Sequence, residues 1–204
     1  MFIETICIQD GHPCHLDDHT DRMRRTAKHF GFAPPDLPAD LDALVPADLR
    51  TGTIRCRVLY DHTLREITFT PYRKRLIERL IAVDAGAMDY AFKYADRSPL
   101  ARPQIPLAET DELLFVRNGC VTDTSYTNLI LRRGDELVTP DTFLLDGTCR
   151  RRLLRTGRVR TARVRLSDLP AYDELLLVNA MMPLDEAIRL PISAVHSDLS
   201  TFAP

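Results

Sequence analysis

Residues 53–70 read TIRCRVLYDHTLREITFT, and this stretch decides the fold class. Apolar and polar residues alternate over 53–60 and again over 65–70, on either side of the break at 61–63. The alternating apolar residues are Ile54, Cys56, Val58, Ile67 and Phe69. Strict alternation is typical of strands with one buried face, and so short a connection joins antiparallel neighbours. The sequence therefore predicts an antiparallel strand pair instead of a βαβ unit.

The segments around this pair add helices and further strands. Asp17 or Asp18 is expected to cap a helix that runs to about Phe30 and is ended by Gly31. Residues 76–83 fit a helix or a strand equally. A second helix is predicted to begin near Gly147. Strands are predicted at residues 2–8, 113–117, 128–132, 161–166 and 174–178.

The order of these elements is mixed, which favours an α+β fold over a regular α/β fold. Prolines concentrate at Pro99, Pro103 and Pro106, and we place a boundary there. The sequence predicts an N-terminal α+β lobe over 1–95, a linker over 96–106 and a C-terminal α+β lobe over 107–204.

Composition excludes several classes of protein. The 204 residues are 45% hydrophobic and 27% charged, as in ordinary soluble domains. A formal net charge of -2 argues against nucleic-acid binding, and no apolar run has the roughly 18 residues of a membrane span. The five cysteines are scattered, and no secretory signal precedes them. Free thiols and a cytoplasmic location are expected.

Two clusters invite other interpretations. His15 and His19 have the i,i+4 spacing of metal ligands, with His12 and Cys14 close by, but the expected cap at Asp17 or Asp18 interrupts the helix between them. No metal site is therefore predicted. A basic run could suggest nucleic-acid binding, yet it surrounds two leucines and fits the solvated face of an amphipathic helix. This run comprises Arg150, Arg151, Arg152 and Arg155.

Separated motifs together resemble the class IV aminotransferase family, whose members share the fold-type-IV pyridoxal phosphate architecture. The motifs are Phe2–Ile6 (FIETI), His19–Met23 (HTDRM), Val121–Asp123 followed by Thr127–Leu129, Leu145–Arg150 (LDGTCR) and Glu174–Pro183 (ELLLVNAMMP). Two departures stand out. The chain starts directly on the FIETI strand, which implies a shortened N-terminal lobe, and Asp123 stands where the family has glutamate.

The resemblance implies roles for three charged residues. Lys93 would hold pyridoxal phosphate as a Schiff base and would act as general base and acid, which requires an unprotonated amine. Arg22 would bind the phosphate through its planar, permanently charged guanidinium. Asp123 would keep the pyridine nitrogen protonated. Without the resemblance, these residues are a surface lysine, a helix-surface arginine and a turn aspartate.

Further residues follow from the same resemblance. Gly147, Thr148 and Cys149 would start a helix whose free N–H groups face the phosphate, although a simple helix cap explains them equally well. Asn179 and Ala180 would make a second backbone contact to the cofactor or substrate. The substrate-binding candidates are Tyr94, Arg97 and Met181.

Two short matches favour one reaction within the family. Lys93–Arg97 (KYADR) and Asn179–Pro183 (NAMMP) are similar to the corresponding segments of 4-amino-4-deoxychorismate lyases, which release pyruvate and 4-aminobenzoate for folate synthesis. The alternatives are an amino-acid transaminase of the branched-chain or D-amino acid type, and a ligand-binding member without turnover. A small-molecule substrate and a homodimer are expected, with no nucleic-acid or membrane partner.

Overall fold

The computed structural model describes residues 1–101 and 104–197. The chain forms two compact units, of which the first contains residues 1–73 and 92–97 and the second contains 74–91 and the residues from 98 onward. Helices and sheets are mixed in the chain, so the predicted α+β class is confirmed. Within the described residues, no helix is long and apolar enough to span a membrane.

The first unit is built on an antiparallel sheet with the strand order β2-β1-β3-β4. The predicted strand pair is confirmed, because Cys56 lies opposite Phe69 and Val58 lies opposite Ile67. Ile54, Cys56 and Val58 are buried with Ile6 and Ile8 in one apolar cluster. The elements are β1 (Phe2–Gln9), β2 (His12–Pro13), α1 (Leu16–Phe30), β3 (Thr53–Tyr60) and β4 (Leu64–Pro71).

Helix α1 ends where the sequence predicts but begins differently. Gly31 takes a left-handed conformation with φ 73°, which glycine adopts without a Cβ penalty, and its N–H donates to the Ala27 carbonyl. The N-cap is His15, not Asp17 or Asp18. The two aspartates occupy the first turn instead, where their negative charges interact favourably with the helix dipole.

The second unit contains a larger sheet with the order β10-β9-β8-β7-β6-β5-β13, and β11 pairs with β8 and β12. Leu129, Leu131, Leu175 and Leu177 are fully buried at the β8–β11 pairing. The elements are β5 (Arg79–Asp84), β6 (Asp111–Arg117), β7 (Cys120–Thr124), β8 (Asn128–Arg133), β9 (Glu136–Pro140), α2 (Thr148–Arg155), β10 (Arg160–Ala162), β11 (Glu174–Val178), β12 (Ile188–Pro191) and β13 (Val195–Ser197).

The division into units differs from the predicted lobes over residues 74–91. The ambiguous segment is the strand β5, which pairs in parallel with β6 and β13, so it belongs to the second unit. The strand expected at 161–166 stops at Ala162, and a 3₁₀ helix follows over Leu166–Ala171. Residues 102 and 103 of the predicted linker, and 198–204 of the predicted C-terminal lobe, lie outside the described residues.

Candidate active site

The segment that carries Lys93 lies along the start of β1. The Ile3 N–H donates to the Lys93 carbonyl at 2.9 Å, and the Ala95 N–H donates to the Met1 carbonyl at 3.1 Å. Tyr94 forms an isolated antiparallel bridge with Phe2, and their ring centroids are 5.6 Å apart. These contacts fix the backbone of Lys93 next to the strand residue that precedes Glu4.

Glu4 is a fully buried acid in the apolar strand β1, and it contacts two residues of α1. The Arg22 Nε donates to Glu4 Oε1 at 2.8 Å, and the Arg22 Nη2 donates to Glu4 Oε2. The His19 Nδ1 lies 2.6 Å from Glu4 Oε2. His19 and Arg22 are themselves only 1% and 5% exposed. We call Glu4, His19, Arg22 and Lys93 the lysine cluster.

Charges in the lysine cluster favour a neutral amine on Lys93. Burial, and next the positive charge of Arg22, lower the pKa of Lys93 to about 7, although Glu4 acts in the opposite direction. Burial alone would raise the pKa of Glu4, but the charge and hydrogen bonds of Arg22, with those of His19, lower it to about 2. Lys93 is therefore much closer to a nucleophilic amine at neutral pH than an ordinary lysine is.

Asp123 is the centre of a second buried group, within the second unit. The Asn128 Nδ2 donates to Asp123 Oδ1 at 2.7 Å, and the backbone N–H groups of Leu144 and Leu145 donate to Oδ2 at 2.8 and 2.9 Å. Burial raises the pKa of Asp123 to about 6 in spite of these donors. A carboxylate has about four acceptor positions, so Asp123 retains capacity for one further donor.

Arg150 anchors the loop that supplies those backbone donors. It is 3% exposed, its Nε donates to Thr139 Oγ1 at 3.2 Å, and its Nη2 donates to the Pro140 carbonyl at 3.0 Å. Its Nη1 donates to Asp146 at 3.1 Å. The prediction that Arg150 lies on a solvated helix face is therefore wrong, whereas Arg151 and Arg155 are exposed. A charged residue within a basic run gave no sequence signal of this burial.

Gly147 is the N-cap of α2, and the absence of a side chain there is required by Asn128. A Cβ on Gly147 would lie 2.0 Å from Asn128 Oδ1. Asn128 cannot move away freely, because its Nδ2 also donates to the Leu145 carbonyl at 2.9 Å. No side chain caps α2. The N–H groups of Thr148 and Cys149 lie in its first turn, where the helix itself provides no acceptor. The buried Cys149 side chain itself packs in an apolar cluster.

We expect Gly147→Ala to displace Asn128 and to lower the free energy of unfolding by about 1–3 kcal/mol, because a buried amide would lose its partners. Urea unfolding measures this loss. The same substitution in an Asn128→Ala background is the control, since it provides space for the added methyl group. An equal loss in both backgrounds would show that the Asn128 contact is not the cause.

The remaining predicted residues have diverse environments. The Asn179 Oδ1 accepts the N–H groups of Met181 and Met182 at 2.8 and 3.0 Å, so its side chain shapes the loop after β11. Met181 is buried, and Ala180 is half-buried. Tyr94 packs in an aromatic group with Phe2. Arg97 is exposed, and its charge contributes to the lowered pKa of Lys93.

The histidines considered as metal ligands, and the cysteines, have environments of other kinds. Within residues 1–101 and 104–197, no three His, Cys, Asp or Glu side chains are grouped as ligands for a metal ion. His19, half of the candidate i,i+4 pair, instead contacts Glu4. Its partner His15 is the N-cap of α1 in a left-handed conformation. None of the five cysteines forms a disulfide bond.

Comparison with known proteins identifies the family. The family model described as amino-transferase class IV matches residues 1–185. The chain belongs to this family. The resemblance inferred from the motifs is thus confirmed, and the protein is a pyridoxal phosphate-dependent aminotransferase or lyase.

Several other proteins resemble the chain over most of its length. A Haemophilus influenzae protein without an assigned function is 32% identical over 180 residues, or 87% of this chain and 96% of that protein. The crystal structure of a proposed 4-amino-4-deoxychorismate lyase of Haemophilus somnus is 31% identical, with TM-score 0.75, covering 90% of this chain and 97% of that one. A hypothetical aminotransferase of Mycobacterium tuberculosis in its pyridoxal phosphate-bound form is 19% identical, with TM-score 0.70, covering 93% and 79%. The last comparison shows a shared fold.

The side chains present in this chain fit the cofactor of the class IV family. Lys93 offers an amine with a pKa of about 7, as attack on an aldehyde requires. Asp123 offers a buried carboxylate with capacity for one more donor, which suits a protonated pyridine nitrogen. The uncapped start of α2 offers backbone donors of the kind that bind phosphate.

Proposed function

We propose that this protein is a 4-amino-4-deoxychorismate lyase, which releases pyruvate and 4-aminobenzoate for folate synthesis. The observation that carries the proposal is the likeness of nearly the whole chain, at 31% identity, to the proposed lyase of Haemophilus somnus. The segments KYADR (93–97) and NAMMP (179–183) support the same choice.

In this proposal, Lys93 is the catalytic residue and the covalent anchor of pyridoxal phosphate. The Lys93 amine has a pKa of about 7, so it is mostly neutral at a pH above that value. It takes a proton from the substrate carbon that bears the substrate's amino group and later returns a proton. Bound pyridoxal phosphate supplies an electron sink for the negative charge left on that carbon. The bond between the ring carbon and the enolpyruvyl oxygen then breaks, the released enolpyruvate takes up a proton to become pyruvate, and the ring becomes aromatic.

The other proposed roles belong to residues that hold the cofactor or the substrate. Asp123 accepts the hydrogen bond of the protonated pyridine nitrogen. The phosphate is bound by Arg22 and by backbone groups at Gly147, Thr148 and Cys149, and the loop at Asn179 and Ala180 makes a further backbone contact. Tyr94, Arg97 and Met181 are the proposed substrate contacts. We also propose that the protein acts as a homodimer in the cytoplasm.

The lyase reaction can be tested by its stoichiometry. The substrate splits into its two products without a second substrate, whereas a transaminase requires a keto acid to accept the amine. We expect the protein, reconstituted with pyridoxal phosphate, to convert aminodeoxychorismate into equal amounts of 4-aminobenzoate and pyruvate without a keto acid. Chromatography measures the first product, and coupling to lactate dehydrogenase measures the second.

The alternative function is an amino-acid transaminase, which the fold shared with an aminotransferase of Mycobacterium tuberculosis keeps open. The two reactions are separated by adding panels of D- and L-amino acids and following the absorption spectrum. Conversion of the bound cofactor to its pyridoxamine form by an amino acid, with no 4-aminobenzoate from aminodeoxychorismate, would overturn the lyase proposal.

A further inference from the structure

Glu4 is the charged residue of the lysine cluster to which sequence reasoning assigned no role of its own. It is 0% exposed and lies within a strand whose other inward residues are apolar. Burial of an ionised carboxylate is costly unless hydrogen bonds and opposite charge compensate for it. The cost of placing a charge here indicates that the position does more than complete a core.

Both carboxylate oxygens of Glu4 are engaged, and each contact restricts a residue of α1. The paired contacts to Arg22 Nε and Nη2 fix the plane of the guanidinium. The contact to His19 at 2.6 Å fixes the imidazole, because an ionised carboxylate requires the proton to be on Nδ1. One acid therefore determines the orientation of two basic side chains.

The backbone connects this arrangement to Lys93. The N–H of Ile3, the residue before Glu4, donates to the Lys93 carbonyl at 2.9 Å. A change in β1 at this point would alter both the position of Lys93 and the arrangement of Arg22. The groups whose charges act on the Lys93 amine are Arg22 and Glu4 from the packed elements and Arg97 from its own segment.

We propose that Glu4 is a positioning residue of this active site: it holds Arg22 and His19 in one fixed arrangement and supplies the negative charge that balances Arg22 beside the Lys93 amine. The proposal rests on the proposed function only in taking Lys93 as the reacting lysine. The predicted effect of the Glu4 charge on the pKa of Lys93 concerns the protein alone and can be measured without the cofactor.

The charges of the lysine cluster explain how Glu4 affects the protonation of Lys93. Ionised Glu4 and Arg22 cancel, and burial lowers the pKa of His19, which favours its neutral form. Protonation of Lys93 would add an uncompensated positive charge beside the buried residues Glu4, His19 and Arg22. Glu4 limits this effect, because its negative charge raises the pKa of Lys93 while Arg22 lowers it. Removal of the carboxylate charge should therefore favour the neutral amine further.

The test is an NMR titration of the cofactor-free protein with ¹³Cε-labelled lysine. The lysines of the chain are Lys28, Lys74 and Lys93, and a Lys93→Ala sample assigns the signal of interest. We expect the wild-type Lys93 signal to titrate near pH 7. In Glu4→Gln, which keeps the size and removes the charge, we expect the midpoint to fall by about 1 unit. An unchanged midpoint would overturn the proposal.

Glu4→Gln leaves Arg22 buried without a counterion, which could prevent folding. A second variant provides the test in that case. The double variant Glu4→Gln/Arg22→Met removes both charges. Because Arg22 affects Lys93 more than Glu4 does, we expect its midpoint to rise above the wild-type value. A midpoint of the double variant below the wild-type value would overturn the proposal equally, because Arg22 would then not be the charge that Glu4 balances.

Glu66→Gln is the matched control, because Glu66 is an exposed strand carboxylate paired with Arg57 at 3.4 Å. We expect this control to leave the Lys93 midpoint unchanged. The titration and the lyase assay fail independently. A protein that makes no 4-aminobenzoate can still show the shifted Lys93 midpoints, which would contradict only the proposed lyase function. An active lyase can show unshifted midpoints, which would contradict only the proposed role of Glu4.

Discussion

Lys93→Ala is expected to reduce turnover of aminodeoxychorismate by on the order of 1,000-fold or more, since it removes the proposed covalent anchor and the general base together. The pKa of about 7 adds a pH dependence. Uptake of pyridoxal phosphate by the cofactor-free protein should accelerate as the pH rises toward 7 and then level off, because only the neutral amine attacks an aldehyde. Steady-state kinetics and stopped-flow absorbance measure the two effects.

Lys28→Ala is the matched control, because Lys28 is an exposed lysine in the last turn of α1. It should retain wild-type turnover and cofactor uptake. A Lys93→Ala protein that keeps most of its activity, or an uptake rate that does not depend on pH between 5 and 8 (roughly the range around such a pKa), would contradict the proposed role.

Asp123→Asn is expected to lower turnover by roughly 10- to 100-fold, because one buried hydrogen bond to a charged group contributes about 1.5–3 kcal/mol. The physical reason is the proposed partnership with the protonated pyridine nitrogen, which asparagine cannot stabilise as a carboxylate does. Attachment of the cofactor to Lys93 should persist, so the loss should appear in kcat. Kinetics and the absorption spectrum of the same sample distinguish attachment from turnover.

Two further variants test whether the carboxylate is the cause. Asp135→Asn, at an exposed turn position, should leave kcat unchanged. Asp123→Glu restores the residue type of the family and keeps the charge, so it should retain more activity than Asp123→Asn. If Asp123→Asn turned over substrate like the wild type, the proposed contact with the cofactor ring would be wrong.

Local patterns explain which parts of the fold were predictable. The β3–β4 pair follows from alternation within a short stretch, and the end of α1 follows from the conformational freedom of Gly31. Strand β5 could not be assigned from its residues, because its identity depends on parallel pairing with β6 and β13, which lie far along the chain. The assignment of residues 74–91 to the second unit depends on the same distant pairing.

For the candidate residues too, the sequence indicated identities but not the contacts that depend on the fold. Motifs made Lys93, Arg22 and Asp123 candidates, but their hydrogen-bond partners could not be predicted. Glu4 was visible only as one letter of a motif, although an acid inside an apolar strand is a usable signal of a buried ion pair. Arg150 gave no such signal, because its burial depends on hydrogen bonds to Thr139 and Pro140, which precede it by about ten residues.

The most direct test of the central claim is to identify the lysine that carries the cofactor. The protein is reconstituted with pyridoxal phosphate, reduced with borohydride to make the attachment permanent, digested and analysed by peptide mass spectrometry. The lysines of the chain are Lys28, Lys74 and Lys93, so the assignment is unambiguous. We predict one pyridoxyl phosphate group per chain, on the peptide that contains Lys93. Modification of Lys28 or Lys74 in its place, or no modification, would contradict the account.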